Sequence, residues 1–404
     1  MEKNSRRIFL GKSLLGISSL AFLPKIETAY SKPLIPEKNQ GKSLTRVLGR
    51  TGIRLPLISM GTGDTQNSRL VRAAYDAGVK LFSTSSYYGE GNNEKMLGEL
   101  FKNFPRDSFY VSTASTPLGI NHKEGIFTDP KAGPRYVKDI EDGLMRLKLD
   151  HVDIIYLAFA AKRESVFFEP LMRAMDDLRK SGKTRFIGIA THSFCDEAIR
   201  AAADAGIYDV VMTAYNFKNE KDNKLKEAID YAVKAGLGIV AMKTTAGAYW
   251  DRERKVPVNT HAALKWVLQN ENITSVVSGM TGYEELEKNL LLNNDYKLTR
   301  EELTDLKLAF QNPSPGLYCT QCHQCVRQCR KGLDIPNLMR GYMYAYGYRN
   351  FPTAKKALSI SGIDSLSCSE CRSCTVQCSR GFDVPGKIRD IVRINDIPSE
   401  FLFG

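Results

Sequence analysis

The chain has 404 residues, 43% of them hydrophobic and 25% charged, with a formal net charge of +12. This is ordinary globular composition, long enough for one large domain and a small one. No run of 18 or more apolar residues lies beyond the N-terminus, so no membrane span is expected in the mature chain. No Lys/Arg run exceeds two residues and no reader-helix motif occurs, so the basic excess does not point to nucleic acid.

Residues 1–31 read as a separate segment. Arg6 and Arg7 precede a mildly apolar stretch, residues 8–23, and a small-residue site, Ala29-Tyr30-Ser31, follows. The stretch "SRRIFLGK" resembles a twin-arginine export signal. That resemblance implies passage through the twin-arginine translocation machinery and a periplasmic or otherwise exported location. An uncleaved basic tail or a short anchor is the alternative reading.

Beyond it, apolar strand segments recur at 57–60, 79–82, 109–112, 152–157, 185–189, 208–213, 237–242 and 274–277. Each is short and continuously apolar, as strands buried on both faces are. Helical patterns separate them. Residues 136–147 place Val137, Ile140, Leu144 and Leu147 on one stripe, and residues 225–234 place Leu225, Ala228, Ile229 and Ala232 likewise. Gly78, Gly182, Gly206 and Gly236 stand where left-handed caps belong. Eight such units predict an α/β fold, a (β/α)8 TIM barrel over residues 44–311, with an open doubly wound sheet as runner-up.

"QNPSPG" breaks the pattern and opens a second region, residues 317–395. It carries Cys319, Cys322, Cys325 and Cys329, then Cys368, Cys371, Cys374 and Cys378. Both quartets have C-x2-C-x2-C-x3-C spacing. Three cysteines two apart wrap one cuboidal cluster, and the fourth crosses to the other cluster. The spacing thus predicts two [4Fe–4S] clusters, one on Cys319, Cys322, Cys325 and Cys378, the other on Cys368, Cys371, Cys374 and Cys329. Structural zinc favours paired cysteines. The parallel "LDIP" and "FDVP" segments repeat after each quartet, and the long helical spacer predicts a mainly helical, ferredoxin-like two-cluster domain. The ninth cysteine, Cys195, opens an Ala-rich helix and reads as a buried structural thiol.

"LTRVLGRTGIRLPLISMGTG" (44–63), "FSTSSYYGEGNNEKMLGEL" (82–100), "LMRLKLDHVDIIYL" (144–157), "GKTRFIGIATHS" (182–193) and "SGMTGYEELEKN" (278–289) resemble blocks of the aldo/keto reductases. With the cysteine tail, the chain resembles the iron–sulfur branch of that superfamily. The resemblance implies an oxidoreductase that reduces carbonyls by hydride from NADPH through an Asp, Tyr, Lys and His tetrad. Tyr88 keeps the tyrosine, whereas Ser83, Ala114 and Ala158 stand at the Asp, Lys and His positions. Tyr88 is therefore expected to lack the cation that makes it acidic. Of the nucleotide contacts, the resemblance implies Tyr215 stacking on nicotinamide and Asn289 touching adenine. Thr281 with Glu284 forms a capping box suited to phosphate, and Lys243 faces an anionic ligand or is a solvated rim charge. His192, at a strand mouth, is a further acid/base candidate.

Three functional readings follow. One is an exported oxidoreductase with an atypical, largely lost tetrad that passes electrons through two [4Fe–4S] clusters to an unknown redox partner. A small-molecule substrate and a tightly bound NADP(H) belong to this reading. The second is a non-catalytic electron-transfer subunit whose barrel is a docking scaffold. A ligand sensor with structural clusters is the third and weakest.

Overall fold

The computed structural model describes residues 43–398 and 401, apart from 118, 122, 312–315, 362, 364–367, 369–370 and 372–373. The export-signal expectation falls on residues 1–31, outside the described residues. No helix among the described residues is long and apolar enough to cross a membrane.

Eight parallel strands close into a barrel in chain order. They are β1 (Ile58–Gly61), β2 (Leu81–Ser83), β3 (Tyr110–Ser115), β4 (Val152–Ala158), β5 (Thr184–Thr191), β6 (Val210–Ala214), β7 (Gly238–Met242) and β8 (Ser275–Gly279). Closure runs through β8 and β1, where Val276 pairs with Ile58 and Gly279 with Gly61. All eight expected strands are present. Every residue of β4, β6 and β7 is buried, which is why they read as unbroken apolar runs. The helix Ala132–Leu147 buries Tyr136, Ile140, Leu144 and Leu147 on one stripe against the barrel. The four cap glycines all take positive φ.

The bottom of the barrel is plugged. An antiparallel hairpin, Thr45–Val47 with Arg54–Pro56, carries Leu48, Ile53 and Leu55 into the lumen against Leu81, Ile154 and Val210. Near the start of β4, the buried Asp153 carboxylate accepts from Arg106 (2.9 Å), Arg185 (2.8 Å) and the Val111 amide (2.9 Å). A buried carboxylate needs that full set of donors.

The top is roofed by the cysteine-bearing region. Its helices are Ile335–Tyr342, Phe351–Ser361 and Val384–Ile391, and the first runs on as a π turn, Met343–Gly347. The repeated D-[IV]-P segments start two of them. Asp334 accepts from the Asn337 amide and Asp383 from the Gly386 amide, each with a proline in the first turn. Leu338, Met339, Tyr342 and Ile391 share one core with Trp250 and Ala262 from the barrel side. A Cβ on Gly347 in the roof would lie 2.5 Å from the Gly247 carbonyl oxygen. The mouth and the roof therefore form one packed body.

Candidate redox site between barrel mouth and roof

The strand ends that would carry three of the four tetrad charges are small and uncharged. Ser83 ends β2 with its carbonyl accepting from Thr62, Ala114 lies within β3, and Ala158 ends β4. Tyr88 follows β2 in the short turn Tyr88–Gly91, where Gly89 and Glu90 take left-handed backbone. Its ring lies flat on the backbone at Gly63: a Cβ there would stand 2.8 Å from ring carbons. Tyr87 meets it edge-on, with ring centres 6.3 Å apart, and points its hydroxyl at the Thr353 carbonyl in the roof, 3.5 Å away.

Lys243 corrects two expectations. It follows β7 with a left-handed φ of 56°, and it is not a solvated rim charge. Its ammonium lies 4.4 Å from the ring centre of Tyr344 and 5.5 Å from that of Tyr348, both on the roof. Burial disfavours the charged form, but Tyr344, Tyr348, Tyr88 and Asp64 together hold it above the usual lysine range. Burial also pushes the Tyr88 hydroxyl up to about 12, and the Lys243 charge works against that rise. Tyr88 thus has a cation in reach, supplied by the end of β7 instead of β3. Asp64 is held in place by Asn350, whose amide donates to the Asp64 carboxylate (2.8 Å) and to the Gly63 carbonyl (3.2 Å). Lys243 was visible in the sequence as a charge after β7, but Asp64, Tyr344, Tyr348 and Asn350 carry no local signal.

His192 and Arg340 join the mouth to the roof. Two small cavities share His192, Gln321 and Arg340 in their walls. One extends to Phe159 and Asp334, the other to Lys243, Tyr318 and Cys319. The His192 ring stacks on Phe159 at 5.5 Å, and the Arg340 guanidinium lies 4.8 Å from the same ring centre. Arg340 is only 6% exposed and donates to the Asn337 side chain. Burial raises the Asp334 carboxyl, with Arg340 opposing.

Of the expected nucleotide contacts, Tyr215, Thr281 and Asn289 line neither of these two cavities. Tyr215 is 3% exposed and packs on Trp266, ring centres 5.2 Å apart, in the layer between barrel and helices. Asn289 is buried and donates to Ser278. The capping box is also displaced. The helix is Tyr283–Leu291 with Gly282 as its N-cap, and the Thr281 hydroxyl and amide both donate to Glu285, whereas Glu284 pairs with Lys288. Thr281 has its hydroxyl engaged and Tyr215 offers no open ring face, so these residues do not fit NADP(H) as placed.

The cysteines do fit clusters. One narrow crevice is lined by Cys319, Cys322, Cys325 and Cys378, and a cavity of about 260 Å³ is lined by Cys329, Cys368, Cys371 and Cys374. The fourth cysteine of each motif lies with the other motif's triplet. The electrostatic neighbours agree: burial together with Cys325, Cys322 and Cys378 pushes the Cys319 thiol up to about 12, and Cys368 is raised by burial and by Cys329, Cys371 and Cys374. Four soft donors crowded in this way call for bound positive charge. No His, Cys, Asp or Glu trio among the described residues converges on one ion. Tetrahedral zinc would bring its sulfurs to about 3.8 Å of one another, whereas a cuboidal cluster spreads them. The amides of Gln321 and Arg380 point at the Cys319 and Cys378 sulfurs at 3.4 Å each, contacts that tune a cluster's potential. Ile335 and Val384 line both cysteine cavities. Cys195, by contrast, lines neither cysteine cavity; burial pushes its thiol up to about 11, as a structural thiol behaves.

A closed (β/α)8 barrel under a cysteine-lined roof is the architecture of an iron–sulfur oxidoreductase. Residues 59–257 match the Aldo/keto reductase family and residues 318–383 the 4Fe-4S dicluster domain. The chain thus carries an aldo/keto reductase domain joined to a 4Fe–4S dicluster domain. Among its relatives, L-galactose dehydrogenase of Arabidopsis thaliana is 26% identical over 288 residues, covering 61% of this chain and 86% of that protein. D-threo-aldose 1-dehydrogenase of Pseudomonas sp is 26% identical over 218 residues, covering 47% and 66%. Among solved structures, the holo form of an aldo-keto reductase from Bacillus halodurans superposes with TM-score 0.53 at 18% identity, covering 66% of this chain and 96% of that one. An aldo-keto reductase from Klebsiella pneumoniae in complex with NADPH gives 0.51 at 20% identity, covering 66% and 94%. At such identities the structures establish the fold.

Proposed function

We propose that this chain is an exported iron–sulfur oxidoreductase whose small-molecule substrate reacts at the barrel mouth and exchanges electrons with two [4Fe–4S] clusters in the roof. The observation that carries the proposal is the cavity whose wall includes Lys243, His192 and Cys319 together. In this reading Cys319 is a cluster ligand, and Lys243 and His192 face the substrate. When bound, an iron–sulfur cluster accepts or releases one electron at a time. The chain's own residues supply the rest. Tyr88 keeps its proton at neutral pH, since its hydroxyl is pushed up to about 12. Lys243 stabilises the tyrosinate left when that proton moves to a substrate oxygen. Tyr344 and Tyr348 close over the ammonium and exclude water, which strengthens that interaction. The relatives above are named as dehydrogenases, which supports redox chemistry at an alcohol or carbonyl. The twin-arginine motif supports export with clusters already inserted.

A second reading, an electron-transfer subunit with an inactive barrel, is favoured by the burial of Tyr215 and Asn289. Anaerobic purification, iron counting, redox titration and analysis of small molecules released by heat separate the two. The first expects about eight irons and turnover with an alcohol or aldehyde that Tyr88→Phe abolishes. Reversible clusters with no such turnover, in the parent as in the variant, would leave the second reading standing. Released NADP(H) would overturn the conclusion that the nucleotide contacts do not fit.

A further inference from the structure

The second cysteine cavity opens on a basic rim. Its walls include Arg330, Lys331 and Arg389 beside Cys329, Cys368, Cys371 and Cys374, and none of the described residues that line it is acidic. Arg330, Lys331 and Arg389 are exposed, as is Arg327 in the turn Val326–Gln328 just before Cys329. Arg330 and Arg389 form no ion pair with a carboxylate among the described residues, although most surface arginines of the barrel do, such as Arg72 with Asp76 and Arg163 with Asp204. Cys374 is itself exposed, and Thr375 and Gln377 beside it are exposed and polar.

The rim also lies beside the cysteine set that does not border the barrel mouth. Cys319 borders the barrel mouth, Ile335 and Val384 separate the first cysteine set from the second, and the second reaches the surface at Cys374. An electron entering or leaving the protein does so where the last cluster ligand is accessible. A field of one sign around such a point steers an oppositely charged partner and raises the encounter rate.

We propose that this rim is the docking surface for an acidic one-electron carrier protein. The proposal rests on the redox reading of the cysteines given above. It does not depend on the direction of flow. In the outward direction the reduced iron–sulfur group loses one electron, and a flavin carrier gains that electron with one proton from solvent. A competing role for the same arginines is to offset the charge of the cluster itself. That role would appear as a changed midpoint potential, whereas docking appears as a changed encounter rate.

The test uses the full, cluster-loaded chain, reduced anaerobically and mixed in a stopped-flow instrument with an oxidised acidic flavodoxin. A basic c-type cytochrome serves as the opposite probe. The rate to the flavodoxin is expected to fall about tenfold between about 10 mM and about 300 mM salt, as screening shortens the field. Arg330→Glu combined with Arg389→Glu is expected to lower the low-salt rate about tenfold, with iron content and midpoint potential unchanged. The cytochrome should respond in the opposite sense. A rate indifferent to salt, a faster rate to the cytochrome in the parent protein, or a loss fully accounted for by a shifted potential overturns the proposal. Should the double variant retain less iron, Arg327→Glu alone is expected to slow transfer about threefold, and no change there overturns it equally. Clusters that accept no electron at all would defeat the redox reading and this surface together, whereas the salt and charge results defeat the surface alone.

Discussion

Lys243 closes the seventh barrel strand, and its ammonium lies 4.4 Å from the ring centre of Tyr344 in the cysteine-bearing roof. That contact ties the two halves of the chain together at the point where chemistry is expected. The same charge acts on Tyr88, against the rise that burial gives its hydroxyl. A buried ammonium between aromatic faces is favourable only when the site is packed, so the roof is part of the barrel's site.

Replacing Lys243 by Met removes that cation. The charge favours tyrosinate, so the Tyr88 ionisation should move to higher pH in the variant. An ultraviolet difference titration against a Tyr88→Phe background reads this directly. Turnover should fall about a hundredfold, with partial recovery in Lys243→Arg. An unmoved titration would remove Lys243 from the proton chemistry.

Gly63→Ala tests the seat of Tyr88. The added methyl would meet ring carbons at 2.8 Å, so the ring must shift. We expect a stability cost of about 1–3 kcal/mol, read from the urea midpoint, and a turnover loss approaching that of Tyr88→Phe. Full activity would show that the ring position at Gly63 is immaterial.

The crossed cysteine sets predict which variants resemble each other. Cys378→Ala should lose the same electron paramagnetic resonance signal as Cys322→Ala, although it sits in the second motif. Cys329→Ala should pair with Cys371→Ala in the same way. If instead each variant affects only the cluster of its own motif, the crossing is wrong.

The buried tyrosines set an alkaline limit. Burial raises Tyr87, Tyr88, Tyr156 and Tyr318 above the ordinary value of 10.0, Tyr88 to about 12. Below pH 10 both folded and unfolded chains keep these protons, and the contribution is complete. Above it the unfolded chain releases them first, so stability declines as pH rises through about 12. The urea midpoint should therefore be level near pH 8 to 9 and fall steadily beyond about 10. A midpoint that holds constant to pH 11 would contradict the burial.

Much of the fold was legible because its causes are local. Each strand is an apolar run of a few residues, each helix a stripe with a left-handed glycine after it, and each cysteine motif is contiguous. The capping expectation at Thr281 failed by one residue, since Glu284 and Glu285 are equally placed in sequence and only the helix start at Gly282 decides which carboxylate turns back. Tyr215 failed for a different reason. A tyrosine after a strand can face the mouth or the helix layer, and packing on Trp266 settled it.

The sequence by itself determined the barrel, the cysteine donor sets and the uncharged side chains at Ser83, Ala114 and Ala158, because strand periodicity and ligand spacing are properties of neighbouring residues. Only the tertiary structure decided that the Lys243 charge acts on Tyr88, that Asn350 holds Asp64, and that Cys319 borders the barrel mouth. Those relationships join residues 76 to 286 positions apart. They exist because the roof shares a core with the barrel, and no local pattern records which surfaces a shared core will press together.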